Sequence, residues 1–157
     1  MNNEKDNVYD LVEDFYAHDE GWNTLLRQEY AEGFLRMEAW KGKKNSDLYR
    51  SWDNLTMLCL YLGSAETFLG DMNADDFIDC IAWCGRNISE FTPDYKNTQD
   101  FLETCDGLFK YLKGKNAISN DTVPGTAAEI LLQEGKMNII LPDGSFDEAN
   151  AERAWNA

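Results

Sequence analysis

The sequence predicts an all-α fold, a single-domain bundle of five or six helices with a short irregular or hairpin C-terminal tail. Three observations predict it. Apolar residues recur every three or four positions in successive stretches, which lines one face of a helix. Residues that start and stop helices stand at the ends of those stretches. One stretch, SDLYRSWDNLTMLCLYLG at 46–63, is apolar nearly all round in its second half. There Leu48, Trp52, Leu55, Cys59 and Leu62 step by four, three, four and three, while Met57, Leu58, Leu60 and Tyr61 fill the opposite face. A helix of that kind is buried by several neighbours, so the others are expected to gather round it. Ser46 reads as its N-cap and Gly63 as the left-handed residue that closes it.

The chain is expected to be frayed over 1–6, to hold a helical core over 7–118, and to finish with a C-terminal helix and tail over 119–157. Val8, Leu11, Val12, Phe15 and Tyr16 mark a first helix that ends near Ala17 or His18, with Asp6 or Asn7 as cap. HDEG is a turn. A second helix is expected from Trp22 or Asn23 to Trp40, with Trp22, Leu26, Tyr30, Phe34, Met37 and Trp40 on one side and Gly33 interrupting it. The basic loop KGKKN leads into the central helix. After Gly63, Phe68 and Leu69 are expected to plug the core from a loop. Asn73 then caps a helix opening ADD, with Met72 and Phe77 as a hydrophobic staple and Phe77, Ile78, Ile81 and Cys84 on its buried face. Thr92, Pro93 and Asp94 open the next helix, whose stripe of Phe101, Leu102, Cys105, Leu108, Phe109 and Leu112 runs to Gly114. TAAEILLQEG is a short helix stopped by Gly135. Beyond it, MNIIL with a PDG turn suits a hairpin, and 147–155 suits a last helix.

A chain of 157 residues is large enough to bury a core without staples. Its 29 acidic side chains against 14 basic ones give a net charge of -15. Binding to DNA or RNA draws its affinity from cations that displace condensed counterions, so this balance argues against it, and against an anionic membrane surface too. An acidic surface suits solubility, a basic protein partner or a metal cation. No apolar run reaches membrane-spanning length, and the polar opening MNNEKDN does not read as a signal peptide, so a reducing, cytoplasmic setting is expected. Cys59, Cys80, Cys84 and Cys105 fall inside helical stretches as buried free thiols. Neither cysteine pair has the spacing of a zinc knuckle.

Several side chains are candidates for chemistry. Glu29 and Glu32 form an ExxE pair, and Asp76 and Asp79 repeat that separation. Helical magnesium-dependent nucleotide phosphohydrolases use such paired carboxylates to hold metal against a phosphate chain. A solvated acidic face explains the same residues. Asp71, Asn73 and Asp75 begin like a calcium loop, but Asp76 and Ala82 occupy the positions that need glycine and glutamate. His18, the one histidine, suits a helix C-terminus. Among the tryptophans, Trp83 lies off its helix stripe and Trp155 lies in the tail, which makes them candidates for partner contact. No glycine-rich phosphate loop, GxSxG or HExxH pattern occurs.

In its order of elements, the run from Tyr9 to Ile118 resembles the SAM-like core-binding domain of tyrosine recombinases and phage integrases. The features that resemble it are DLVEDFYAH, the W..L...L.YLG helix followed by LGDMNADDFIDCI, and NTQDFLETCDGLFKYLKGKNAI. The resemblance implies a helical fold. It implies no recombinase catalysis, because the family's catalytic domain has no counterpart here. The family clamps DNA with basic helices, whereas only the KGKK loop offers cations in a comparable place. The sequence thus leads to a non-catalytic helical module for protein–protein interaction or regulation, binding a protein partner or forming a homo-oligomer. A carboxylate and magnesium-dependent phosphohydrolase using Glu29, Glu32, Asp76 and Asp79 is one alternative, and an acidic DNA mimic that occupies a DNA-binding protein's cationic groove is the other.

Overall fold

A computed structural model describes residues 7–135. It is all-α, with no strand among the described residues. In chain order the elements are α1 (Val8–His18), a 3-10 helix (Glu20–Thr24), α2 (Gln28–Trp40), α3 (Asn45–Ala65), a 3-10 turn (Leu69–Asp71), α4 (Ala74–Asn87), α5 (Tyr95–Gly114) and α6 (Val123–Gln133). The chain divides between Leu69 and Gly70 into two compact units. No helix among the described residues is long and apolar enough to cross a membrane. The tail, with its hairpin and last-helix alternatives, lies outside the described residues.

In the first unit α1, α2 and α3 pack against one another. As its composition predicts, α3 is buried over ten residues, Trp52, Leu55, Leu58, Cys59 and Leu62 among them. The α1 side chain Phe15 meets the Trp52 ring edge-on at 5.3 Å and stacks on Trp22 at 4.8 Å. Next to it the buried Tyr16 hydroxyl donates to the Leu26 carbonyl, which ties α1 to the segment before α2. Phe34, Leu35, Leu55 and Leu58 are fully buried, each stabilising the fold by about 1.5–3 kcal/mol.

Two boundaries here differ from expectation. The second helix does not begin at Trp22 or Asn23. Asp19 caps the 3-10 helix by accepting the Gly21 N–H at 2.8 Å, and the Asn23 side chain accepts the Gln28 N–H at 2.8 Å, so two capping side chains divide the stretch. The expected stripe is therefore not one face: Ala31, Phe34 and Leu35 are buried, whereas Trp40 is 88% exposed. The central helix also shifts. It starts at Asn45, where Asp47 accepts the Lys44 N–H at 3.3 Å, and Ser46 lies inside its first turn. Gly63 does not close it. The left-handed residue is Glu66, at φ 55°, and the Thr67 N–H reaches back to the Leu62 carbonyl at 3.2 Å.

In the second unit the Asn73 cap is as predicted. Asn73 accepts the Asp76 N–H and Asp76 accepts the Asn73 N–H, both at 2.9 Å, while Met72 and Phe77 are buried as the staple requires. Ile78, expected inside, is only half-buried. At the end of the first unit Leu69 is buried, but Phe68, expected to plug the core, is 56% exposed. The next helix opens at Tyr95, because Asp94, not Thr92, accepts an N–H of its first turn, from Asn97 at 2.8 Å. All six residues of its predicted stripe are buried. The α4 ring Phe77 meets the α5 ring Phe109 edge-on at 5.4 Å. α6 packs on both α4 and α5 and stops before Gly135, at φ 67°.

The closing turn of α3 yields a test. A Cβ at Gly63 would meet Trp22 and Leu25 at 3.6 and 3.8 Å, ordinary contact, inside a helix where glycine is entropically costly. Gly63→Ala is expected to stabilise the protein by about 0.5–1 kcal/mol. Glu66→Gly is expected to gain a similar amount by relieving a left-handed side-chain residue, about 0.5–1 kcal/mol. Urea unfolding midpoints measure both; a fall in either contradicts this placement of the helix end.

Candidate functional site

The second unit carries a groove of about 340 Å³ between α5 and α6. That is near the lower end of the range for ligand pockets, about 300–1,000 Å³. Its origin is readable in VPGTAAEILLQ. Val123, Ala127 and Leu131 recur at steps of four, are buried, and anchor α6. The adjacent strip, Pro124, Gly125, Ala128 and Leu132, lines the groove, and two of its residues are too small to fill the space before α5. A Cβ at Gly125 would still stand 3.8 Å from the Asp106 carboxylate. From α5 come Tyr95, Leu102, Glu103 and Asp106. Leu102 and Pro124 are buried, which makes the floor apolar, and Leu132 and Tyr95 add apolar surface at 59% and 43% exposure. Three carboxylates border it: Glu103, Asp106 and Glu129. Asp106 is paired with Lys110 at 2.6 Å, and Glu103 accepts from Gln99 at 3.3 Å. An apolar trough with an acidic border is complementary to a basic, apolar-faced segment.

The first unit carries a feature of opposite sign. At the end of α2 Gly42 sits at φ 102°, its N–H bonded to the Ala39 carbonyl at 3.0 Å, while the Lys43 N–H bonds to the Glu38 carbonyl at 3.1 Å. This double closure holds the turn in one shape. It presents Trp40, Lys41, Lys43 and Lys44, all exposed, and the three ammonium groups form no ion pair with a described residue. By contrast Lys110 and Lys113 pair with Asp106 and Asp121, and Lys115 lies over the Tyr111 ring. A single exposed apolar residue needs no explanation in general, but a tryptophan is among the residues most often found anchoring interfaces.

The carboxylates singled out by spacing lie two in each unit. In α2 Glu29 is exposed and paired with Arg27, while Glu32 accepts from Gln28 at 2.9 Å and lies 3.6 Å from Arg36. In α4 Asp76 completes the cap with Asn73, which also accounts for the calcium-like spacing. Among the described residues no group of three or more His, Cys, Asp or Glu is placed to hold a metal ion. His18 is exposed at the end of α1, its Nδ1 3.0 Å from the Asp14 carbonyl. Trp83 is half-buried on α4, and its carbonyl accepts from Asn87 at 2.8 Å. Trp155 lies outside the described residues.

No family model, curated protein or solved structure matches this chain.

All four cysteines are buried free thiols. Burial pushes the Cys59 thiol up to about 12. Cys80 is raised too, by burial first, then by its hydrogen bond with Cys84 and by the nearness of Cys84 and Cys105. Raised thiols are poor nucleophiles, so these side chains act as small core residues. Burial, and then the charges of Cys59 and Glu32, raise Tyr16 as well.

Asp79 gives a pH test. Desolvation, then repulsion from Asp76 and Asp75, raises its pKa, with Arg86 opposing. The folded state therefore holds this proton more tightly than the unfolded chain does, and ionising Asp79 costs stability as pH rises through the carboxylate range. Asp79→Asn is expected to be more stable than wild type near pH 7, with the difference vanishing near about pH 3, where both states are protonated. Thermal unfolding across that range measures it. A wild type as stable as the variant at neutral pH contradicts this description of Asp79.

Proposed function

We propose that this protein is a binding module whose α5–α6 groove receives a basic amphipathic helix of a partner protein. The observation that supports it is the apolar floor bordered by Glu103, Asp106 and Glu129 on a chain of net charge -15. Each part has a separate job. Leu132, Tyr95 and Ala128 supply the accessible apolar area, the main source of affinity, over a floor that Leu102 closes. The border carboxylates, Glu103 and Glu129 exposed and Asp106 half-buried against Lys110, are screened by salt; they steer a cationic partner and fix its register, contributing at most about 1 kcal/mol each. Four buried free thiols fit a reducing, cytoplasmic setting. Like the recombinase domain it resembles, the chain is helical, but a DNA-clamping role would rest on the basic turn at 40–44 alone, within a strongly acidic chain.

A dye-labelled Leu/Lys peptide of about 18 residues, with leucines at helical spacing, tests the reading by fluorescence anisotropy. Binding is expected in the micromolar range, weakening as salt rises from about 50 to 400 mM. Ala128→Leu, which fills the groove, is expected to weaken it at least about tenfold, and Glu103→Gln with Glu129→Gln by a few-fold. A scrambled peptide of equal charge is expected to bind less tightly. Absence of binding at about 1 mM, or equal binding by all variants and by the scrambled peptide, overturns the reading.

A further inference from the structure

Resting on that reading of the groove, we propose that one occupant is a second copy of this chain, whose Trp40 enters the groove while Lys41, Lys43 and Lys44 face its carboxylate border. Two features, one on each unit, are complementary. The groove is apolar at its base, acidic at its edge, and sized for one bulky side chain with its neighbours. The turn after α2 offers a tryptophan at 88% exposure beside three exposed ammonium groups without an ion pair among the described residues. Charge complementarity thus selects the turn as occupant.

Preorganisation strengthens the match. The two backbone bonds that close α2 on Gly42 fix the turn before any contact forms, so little ordering entropy is lost on docking. At the N-terminus of α3, Asp47 already accepts the Lys44 N–H and lies 3.8 Å from Arg50. That helix end is filled by the chain's own carboxylate, which leaves the lysine side chains, and not the helix terminus, to meet an anionic surface. The contact uses different patches on the two copies, so it is heterologous and lets association proceed head to tail.

Sedimentation velocity on the full chain tests this. Wild type is expected to show a sedimentation coefficient that rises with concentration. Trp40→Ala, lacking the anchor, and Ala128→Leu, lacking the open groove, are each expected to self-associate at least about tenfold more weakly. Mixed together, the two variants are expected to form a 1:1 complex, because the first retains a groove and the second retains a tryptophan. A wild type that stays monomeric up to about 1 mM, association unchanged by both substitutions, or failure of the mixture to pair overturns the proposal. A monomeric wild type whose groove still takes the Leu/Lys peptide removes this inference alone, whereas a groove that refuses the peptide removes the proposed function with it.

Discussion

The packing of α6 against its neighbours is the constraint on which the functional account depends. Eleven residues have to hold the helix in place and still leave room beside it. Val123, Ala127 and Leu131 do the first, burying one stripe. Gly125 and Ala128 do the second, because side chains of zero and one carbon cannot fill the space beside α5. Interiors are close-packed to a density that tolerates few voids, so such a space persists only where it opens to solvent. The groove is thus an open surface feature, produced by small residues at a helix contact, and its acidic border accords with a chain of 29 acidic against 14 basic side chains.

The same acidity is used structurally at the helix starts. Asn73 with Asp76, Asp94 at α5, Asp19 at the 3-10 helix and Asp47 at α3 all accept backbone N–H groups. A carboxylate there satisfies an orphan donor and lies at the positive end of the helix dipole. Net repulsion in a chain of charge -15 is partly offset where acids serve as caps. Asp79 shows the opposite case. It stands one turn after the two acids that open α4 and is held in its neutral form more readily than an isolated carboxylate.

Most of the helices were legible because their signals are local. The Asn73 cap and its staple involve residues within one turn, and the α5 stripe repeats over a long helix. What failed depended on longer reach or on unusual residues. The Asn23 side chain caps a helix five residues later, which no short-range motif describes. The αL position after α3 is held by a glutamate, while the nearby glycine stays helical, so reading Gly63 as the stop put the end too early. Trp40 fits the spacing of the α2 stripe, yet it is the last residue of that helix and nothing described covers it. The groove itself was not legible. Gly125 read as part of the polar stretch before the helix, which in fact opens at Val123, Ala128 and Leu132 read as ordinary helix residues, and a depression belongs to a pair of helices whose contact no single-helix pattern specifies. An unfilled strip of small residues followed by a large exposed leucine was the one available signal.

Isotope-filtered nuclear Overhauser measurements between the Leu/Lys peptide and the labelled protein test the central claim most directly. The account predicts contacts from the peptide's leucine methyls to Leu102, Ala128 and Leu132. Contacts confined to other helices, with these three unperturbed at saturation, would contradict it.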